Sequence, residues 1–282
     1  MKKALSWMFI ISILYSLFLF FLKTHYLDHL EEKTASFFFL LLIAGFMWIP
    51  GITALIFSKK ENIYLPIFKK PGKYILYACF VPVAITLLSF LISFLFAPFQ
   101  PMDLSNPNLA KLCFFTSPTW NYFILGAITL FSGILIGGTV NILTTLGEEL
   151  MWRGYLFEKL KHVGFWKSSS IIGILWGLWH VPLIVLIGLN YPHHPILGSF
   201  WMIIGTVLLS PVMQYLRLKG GSILLTCIFH GIFNRTAALS LIFFVNANQL
   251  LVGPVGISGF IALGMVNMVL YKKYKNTPLH FQ

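Results

Sequence analysis

Acidic side chains are what this chain has least of: eight Asp plus Glu in 282 residues, against 20 Lys plus Arg. Charged residues of either sign make up 10% of the chain and hydrophobic ones 58%. So little polar surface excludes a water-soluble domain of this length and points to a polytopic membrane protein. The formal net charge of +12 does not make a nucleic-acid surface, because the basic residues fall in short clusters between apolar runs and form no single patch. Cysteine is scarce too. Cys79, Cys113 and Cys227 are odd in number and widely spaced, which argues against a disulfide framework or a zinc knuckle. The chain shows no internal repeat and no inverted pair of broken helices of the kind that marks many transporters.

What the chain has is apolar runs. Met1-Lys2-Lys3 followed by Ala4 to Leu22 begins like a signal peptide, but the run is too long for an h-region and no small-x-small cleavage site follows. It is expected to be a retained first span. Further runs stand at Ser36–Phe57, Tyr74–Ala97, Tyr122–Leu146 (with an extension to Leu160 open), Ser168–Leu189, Gly198–Leu216, Ser222–Val245 and Leu251–Tyr271. The expected fold class is all-α, a polytopic membrane helix bundle of about eight transmembrane helices. Residues 1–282 form a single integral membrane domain in this reading, with a motif-bearing core at about 122–245. With the N-terminus inside, sixteen of the twenty Lys and Arg fall in inside segments, and only Lys23, Lys33 and Lys111 lie outside. Arg235 falls within a span. That bias predicts both termini on the cytoplasmic side of a cell membrane. His25, His29, Asp28, Glu31 and Glu32, and likewise His193-His194, read as solvated outer loops and not as metal sites.

Against this background the stretch Gly147-Glu148-Glu149-Leu150-Met151-Trp152-Arg153-Gly154 stands out. A charge at the bilayer centre costs about 3 kcal/mol on insertion scales, so such groups are kept there when paired, facing a cavity or needed for chemistry. On a helix, Glu149 and Arg153 stand four apart on one face, acid first. Glu148 is rotated by about 100° from Glu149, so the arginine holds one carboxylate and leaves the other free to act as a general base. The blander alternative is a helix end dipping into the headgroup layer. Two further polar sites lie inside apolar runs: Trp176-Gly177-Leu178-Trp179-His180-Val181-Pro182 and His230-Gly231-Ile232-Phe233-Asn234-Arg235. His230 and Asn234 share a helix face. Counting helical rise from the cytoplasmic ends puts His180, His230 and the glutamates at one level, about 15 Å deep and within reach of the cytoplasm. For the glutamates this requires a helix from Tyr122 to Leu160, about 58 Å long, which must tilt, bend near Gly137-Gly138 or protrude.

Glu-Glu-x-x-x-Arg, then an aromatic-x-x-x-His, then His-x-x-x-Asn on successive membrane helices resembles the CPBP intramembrane protease family. That family includes type II CaaX prenyl endopeptidases and bacteriocin-processing or immunity membrane proteins. The resemblance runs from about Thr139 to Thr236, and Trp152 and Trp176 stand where the family usually has Phe. It implies an endopeptidase acting on a peptide or membrane-protein tail in the lipid bilayer. Glu148 and His180 would activate a water, His230 and Asn234 would donate hydrogen bonds to the oxyanion, and Glu149 with Arg153 would support the site. A carboxylate and two histidines can ligate zinc, but no His-Glu-x-x-His is present. Metal-free water activation is equally compatible, and metal and cofactor stay open. Two other functions compete: a non-catalytic immunity or binding protein of the same fold, and a proton-coupled transporter. Six buried polar groups argue against a mere scaffold, and the missing repeats argue against a transporter.

Overall fold

The computed structural model describes residues 1–70, 72–104 and 117–274. Lys111, Cys113 and Lys275 lie outside the described residues. Within them the chain is helical with no strand, apart from one isolated parallel bridge between Gln100 and Phe244. The helices are α1 (Lys2–His25), α2 (Glu32–Lys60), α3 (Tyr74–Ser93), α4 (Pro118–Gly137), α5 (Ile142–Glu149), α6 (Leu156–Leu160), α7 (Phe165–Ile187), α8 (Pro195–Gly220), α9 (Ile223–Thr236), α10 (Ala238–Phe243) and α11 (Ile257–Tyr274). Seven of the described helical stretches are long and apolar enough to cross a membrane: α1, α2, α3, α4, α7, α8 and the α9–α10 pair. The expected eighth span is α11. It is diluted by Asn267, Lys272 and Lys273 and does not meet that standard.

The helices close into a ring. α1 packs on α2 and α7, α7 on α8, α8 on α11, α11 on α3, α3 on α9, α9 on α5, and α5 on α2. α4 lies outside the ring against α9. The α7–α8 contact is drawn tight by Gly173 and Gly177, one turn apart. A Cβ there would stand 2.6 Å from Val207 Cα or 2.5 Å from Ile203 Cα. Small residues at such spacing let membrane helices approach to backbone contact, where dispersion can hold them without a hydrophobic driving force.

The fourth apolar run is not one helix. α4 stops at Gly137, where the backbone meets that of α9 so closely that a Cβ would lie 2.6 Å from Gly231 O. A turn over 138–141 follows, and α5 then continues toward the same end of the bundle. Thr145 Oγ1 donates to Cys227 O at 3.1 Å, and Gly154 lies against Ile223. The bend at Gly137-Gly138 thus absorbs the excess length. Beyond α5 the backbone widens into a π-helical turn over Leu150–Tyr155, where the Leu156 N–H bonds to the carbonyl of Met151. Insertions of this kind recur at functional sites because they rotate one group of side chains relative to the rest.

One end of the bundle gathers the basic residues. Lys159 and the N-terminal amine pair with Glu61, and Arg217 and Lys161 pair with Glu158. The loop after α2 covers the start of α9: Ile223 and Leu224 N–H groups bond to the Pro66 and Ile67 carbonyls, and Ser222 Oγ donates to Ile67 O. At the opposite end, Tyr191 donates to Val255 O and Trp201 to Leu250 O, each at 2.8 Å. These bonds tie the α7–α8 loop and α8 to the segment before α11.

Candidate active site

The glutamates sit where α5 crosses α2. Gly147 directs its missing side chain at the Met47 carbonyl, and Gly51 faces Gly147 O at 2.6 Å from a would-be Cβ. No larger residue fits this crossing, which presses the next two side chains into the ring. Glu148 is 2% exposed and Glu149 0%. Glu149 Oε1 accepts from Arg153 Nη1 and from His230 Nδ1, both at 3.0 Å. Arg153 also donates to Ser210 Oγ at 3.1 Å, and its guanidinium carbon lies over the Trp176 ring, 4.5 Å from the centroid. Glu148 Oε2 accepts the Trp176 indole N–H at 2.6 Å. The His180 ring hydrogen-bonds through Nδ1 to the Trp176 carbonyl at 2.9 Å. Carbonyl and carboxylate oxygens only accept, so both imidazoles carry a proton on Nδ1 and leave Nε2 as the nitrogen available for chemistry.

Glu148, His180, His230 and Asn234 line one cavity of about 310 Å³. Its other walls are mostly apolar, with Phe46, Leu183, Met202, Phe233 and Leu263 among them, and Thr206 and Asn190 as polar exceptions. Glu149 and Arg153 lie behind this wall and hold His230 and Trp176 in place. The division between the two glutamates read from sequence matches these contacts: one carboxylate is bound to the arginine and the other faces the cavity. Three partners were not legible. Trp176 stands four residues before His180, which is a signal that both share a face, but nothing marked its indole as a donor to Glu148. Ser210 sits in an apolar run without any cue. The His230–Glu149 bond joins residues 81 positions apart.

Among the described residues no group of three His, Cys, Asp or Glu side chains is arranged to hold an ion. The hydrogen bonds at Glu148 Oε2, His180 Nδ1 and His230 Nδ1 leave Oε1 and both Nε2 atoms open, but these donors are not gathered into the three-ligand arrangement of a catalytic zinc. His25, His29, His193 and His194 likewise form no such group.

The cavity has a direction. From Glu148 its lining runs along Leu183, Leu189 and Asn190 after His180, and to Pro254 and Val255 before α11. These residues lie toward the end opposite the lysine clusters.

A family model matches this same stretch. Residues 118–236 match the family described as "Rce1-like: Type II CAAX prenyl endopeptidase Rce1-like". The protein "CAAX prenyl protease 2" of Methanococcus maripaludis is 33% identical over 104 residues, which is 35% of this chain and 38% of that protein. The match thus spans well under half the length of that curated relative. The family match, at 118–236, covers the helices that carry both glutamates, both histidines and Asn234. In sequence, the segment 118–236 is similar to the Rce1-like family of type II CAAX prenyl endopeptidases, a match that covers 119 of the 282 residues.

Proposed function

We propose that this protein is an intramembrane endopeptidase that hydrolyses a peptide bond in a peptide or a membrane-protein tail. The observation that carries this reading is the single cavity shared by Glu148, His180, His230 and Asn234, with Glu148 buried beside it. Trp176 occupies Glu148 Oε2, so Oε1 is the oxygen that takes the proton of an attacking water. His180 Nε2, unprotonated in the neutral ring, accepts the second hydrogen of that water and orients it. The hydroxide adds to the scissile carbonyl and the carbonyl oxygen becomes an oxyanion. Asn234 donates to it through its side-chain amide. His230 donates through Nε2 when doubly protonated, and Glu149 stands as the counter-charge. Glu148 then returns its proton to the leaving amine, and the C–N bond breaks. Each oxyanion donor is worth about 3 kcal/mol in such chemistry.

The relative's name describes a protease of prenylated tails, and the apolar walls here would accommodate a lipidated or otherwise uncharged segment. The test is a cleavage assay on purified protein in liposomes. Glu148→Gln should abolish turnover without unfolding the protein. Asn234→Ala should lower kcat about 10²- to 10³-fold with little change in KM, and wild-type activity should survive exhaustive chelation. Cleavage retained in Glu148→Gln would end this reading. Activity lost on chelation and restored by zinc would replace the side-chain mechanism with a metal-assisted one.

A further inference from the structure

A second cavity, of about 540 Å³, opens at the basic end of the bundle and shares no lining residue with the one beside Glu148. Four cations line it: Lys69, Lys161, Arg217 and Lys219. The one acid in its lining is Glu158, and that carboxylate is already divided. Its Oε1 accepts from Arg217 Nη2 at 3.1 Å and its Oε2 from Lys161 Nζ at 2.9 Å. Four cations against one acid leave three positive charges that the lining itself does not balance. Lys69 forms no ion pair among the described residues. The fold builds this groove. Gly221, with a φ of +71°, turns the chain from α8 into α9, and the Lys69 side chain lies across it, so that a Cβ on Gly221 would stand 3.1 Å from Lys69 Cδ. The backbone leading to Lys69 is pinned at the Ile67 carbonyl, which accepts from Ser222 Oγ and the Leu224 N–H. Arg217 is only 5% exposed. Its Nε is held by the Arg153 carbonyl and its Nη2 by Glu158, which leaves Nη1 without a hydrogen bond to the described residues. A fixed guanidinium with an open nitrogen suits a phosphate oxygen.

Position selects the anion. α2 and α8 are long and apolar enough to span a membrane, and the groove lies just past their ends at Lys60 and Gly220. Tyr64 and Phe68 line its rim and are 79% and 78% exposed. Aromatic rings held out beside lysines at the end of a span are placed as side chains at the level of lipid headgroups are. A soluble anion has use for the cations alone. We propose that this groove binds an anionic phospholipid, with Arg217 and Lys69 on the phosphate oxygens and the Tyr64 and Phe68 rings against the glycerol and upper acyl chain. Each Lys or Arg near a membrane surface strengthens such binding about fivefold. The site stands apart from the protease reading and does not depend on it.

The test uses the full chain in neutral detergent micelles, with dioleoyl phosphatidylglycerol, dioleoyl phosphatidylcholine or inorganic phosphate added in turn. Binding is read from the melting temperature and from the lipid retained in native mass spectrometry. The variant Lys69→Gln/Lys161→Gln/Lys219→Gln removes three charges from the groove and keeps Arg217, which the Arg153 carbonyl needs. Its control, Lys2→Gln/Lys3→Gln/Lys59→Gln, removes as many exposed charges outside the groove. Wild type and control should hold phosphatidylglycerol about tenfold or more tighter than phosphatidylcholine, and the groove variant should lose that preference. Equal loss in both triple variants would reduce the effect to overall charge and overturn the site. Inorganic phosphate that protects as well as phosphatidylglycerol would overturn the lipid as occupant. Tyr64→Ser/Phe68→Ser changes two exposed side chains only, so it tests the rim even where the groove variant fails to fold. It should weaken phosphatidylglycerol retention several-fold, and unchanged retention would overturn the seat assigned to the lipid.

Discussion

Glu149 holds two donors with one oxygen, Arg153 and the ring of His230. Replacing it with Gln removes the counter-charge of Arg153, which stays 1% exposed. Breaking a buried pair from one side costs about 3–5 kcal/mol, so Glu149→Gln should lower the melting temperature in detergent far more than Glu148→Gln, whose only hydrogen-bond partner is a neutral indole. Equal losses would mean that the two carboxylates share the structural load. The acid–arginine half of this arrangement was legible, because a helix fixes which residues four apart can meet. The histidine half was not. Helix periodicity is a local signal, and it carries nothing about which face of α9 turns toward α5.

Among the helices, the one that carries the glutamates departs most from its sequence expectation. A hydropathy run from Tyr122 to Leu160 reads as continuous because apolar residues look alike in a straight helix and in a bent one. The break is a backbone event at Gly137, caused by its contact with Gly231, and the π-helical turn at Leu150–Tyr155 has no compositional signature. Glycines at crossings are therefore where this element can be tested. Gly147→Ala drives a methyl into the Met47 carbonyl, which cannot move without shifting α2, whereas a Cβ on Gly264 meets nothing within 4 Å. Overpacking of this kind costs about 1–3 kcal/mol. Thermal unfolding should show that loss for Gly147→Ala and almost none for Gly264→Ala, with activity falling in the former because Glu148 is displaced. Equal melting temperatures would show that the α2–α5 crossing yields easily.

For the whole molecule, the apolar runs made the bundle legible. What they did not show is how the helix ends are covered: the loop after α2 lies across the first turn of α9, and α7 begins at Phe165, before Ser168. The basic end has its own electrostatics. The Lys159 hydrogen bond holds Glu61 below the usual carboxylate range, helped by Tyr155 and the N-terminal amine. A depressed carboxylate stabilises the fold above its unfolded pKa, about 4.3, and this contribution is lost as pH falls through the lower folded value. Thermal melts should therefore show an acid-side loss of stability below about pH 4.3 that Glu61→Gln lacks. An identical acid limb in the variant would assign the loss to other groups.

The packed layer of Trp152, Tyr155 and Met213 behind the glutamates also has a kinetic consequence. On the protease reading proposed above, products would have to leave through the opening that admits the next substrate, and a fragment still lodged between Phe46 and Leu263 would compete with the next chain.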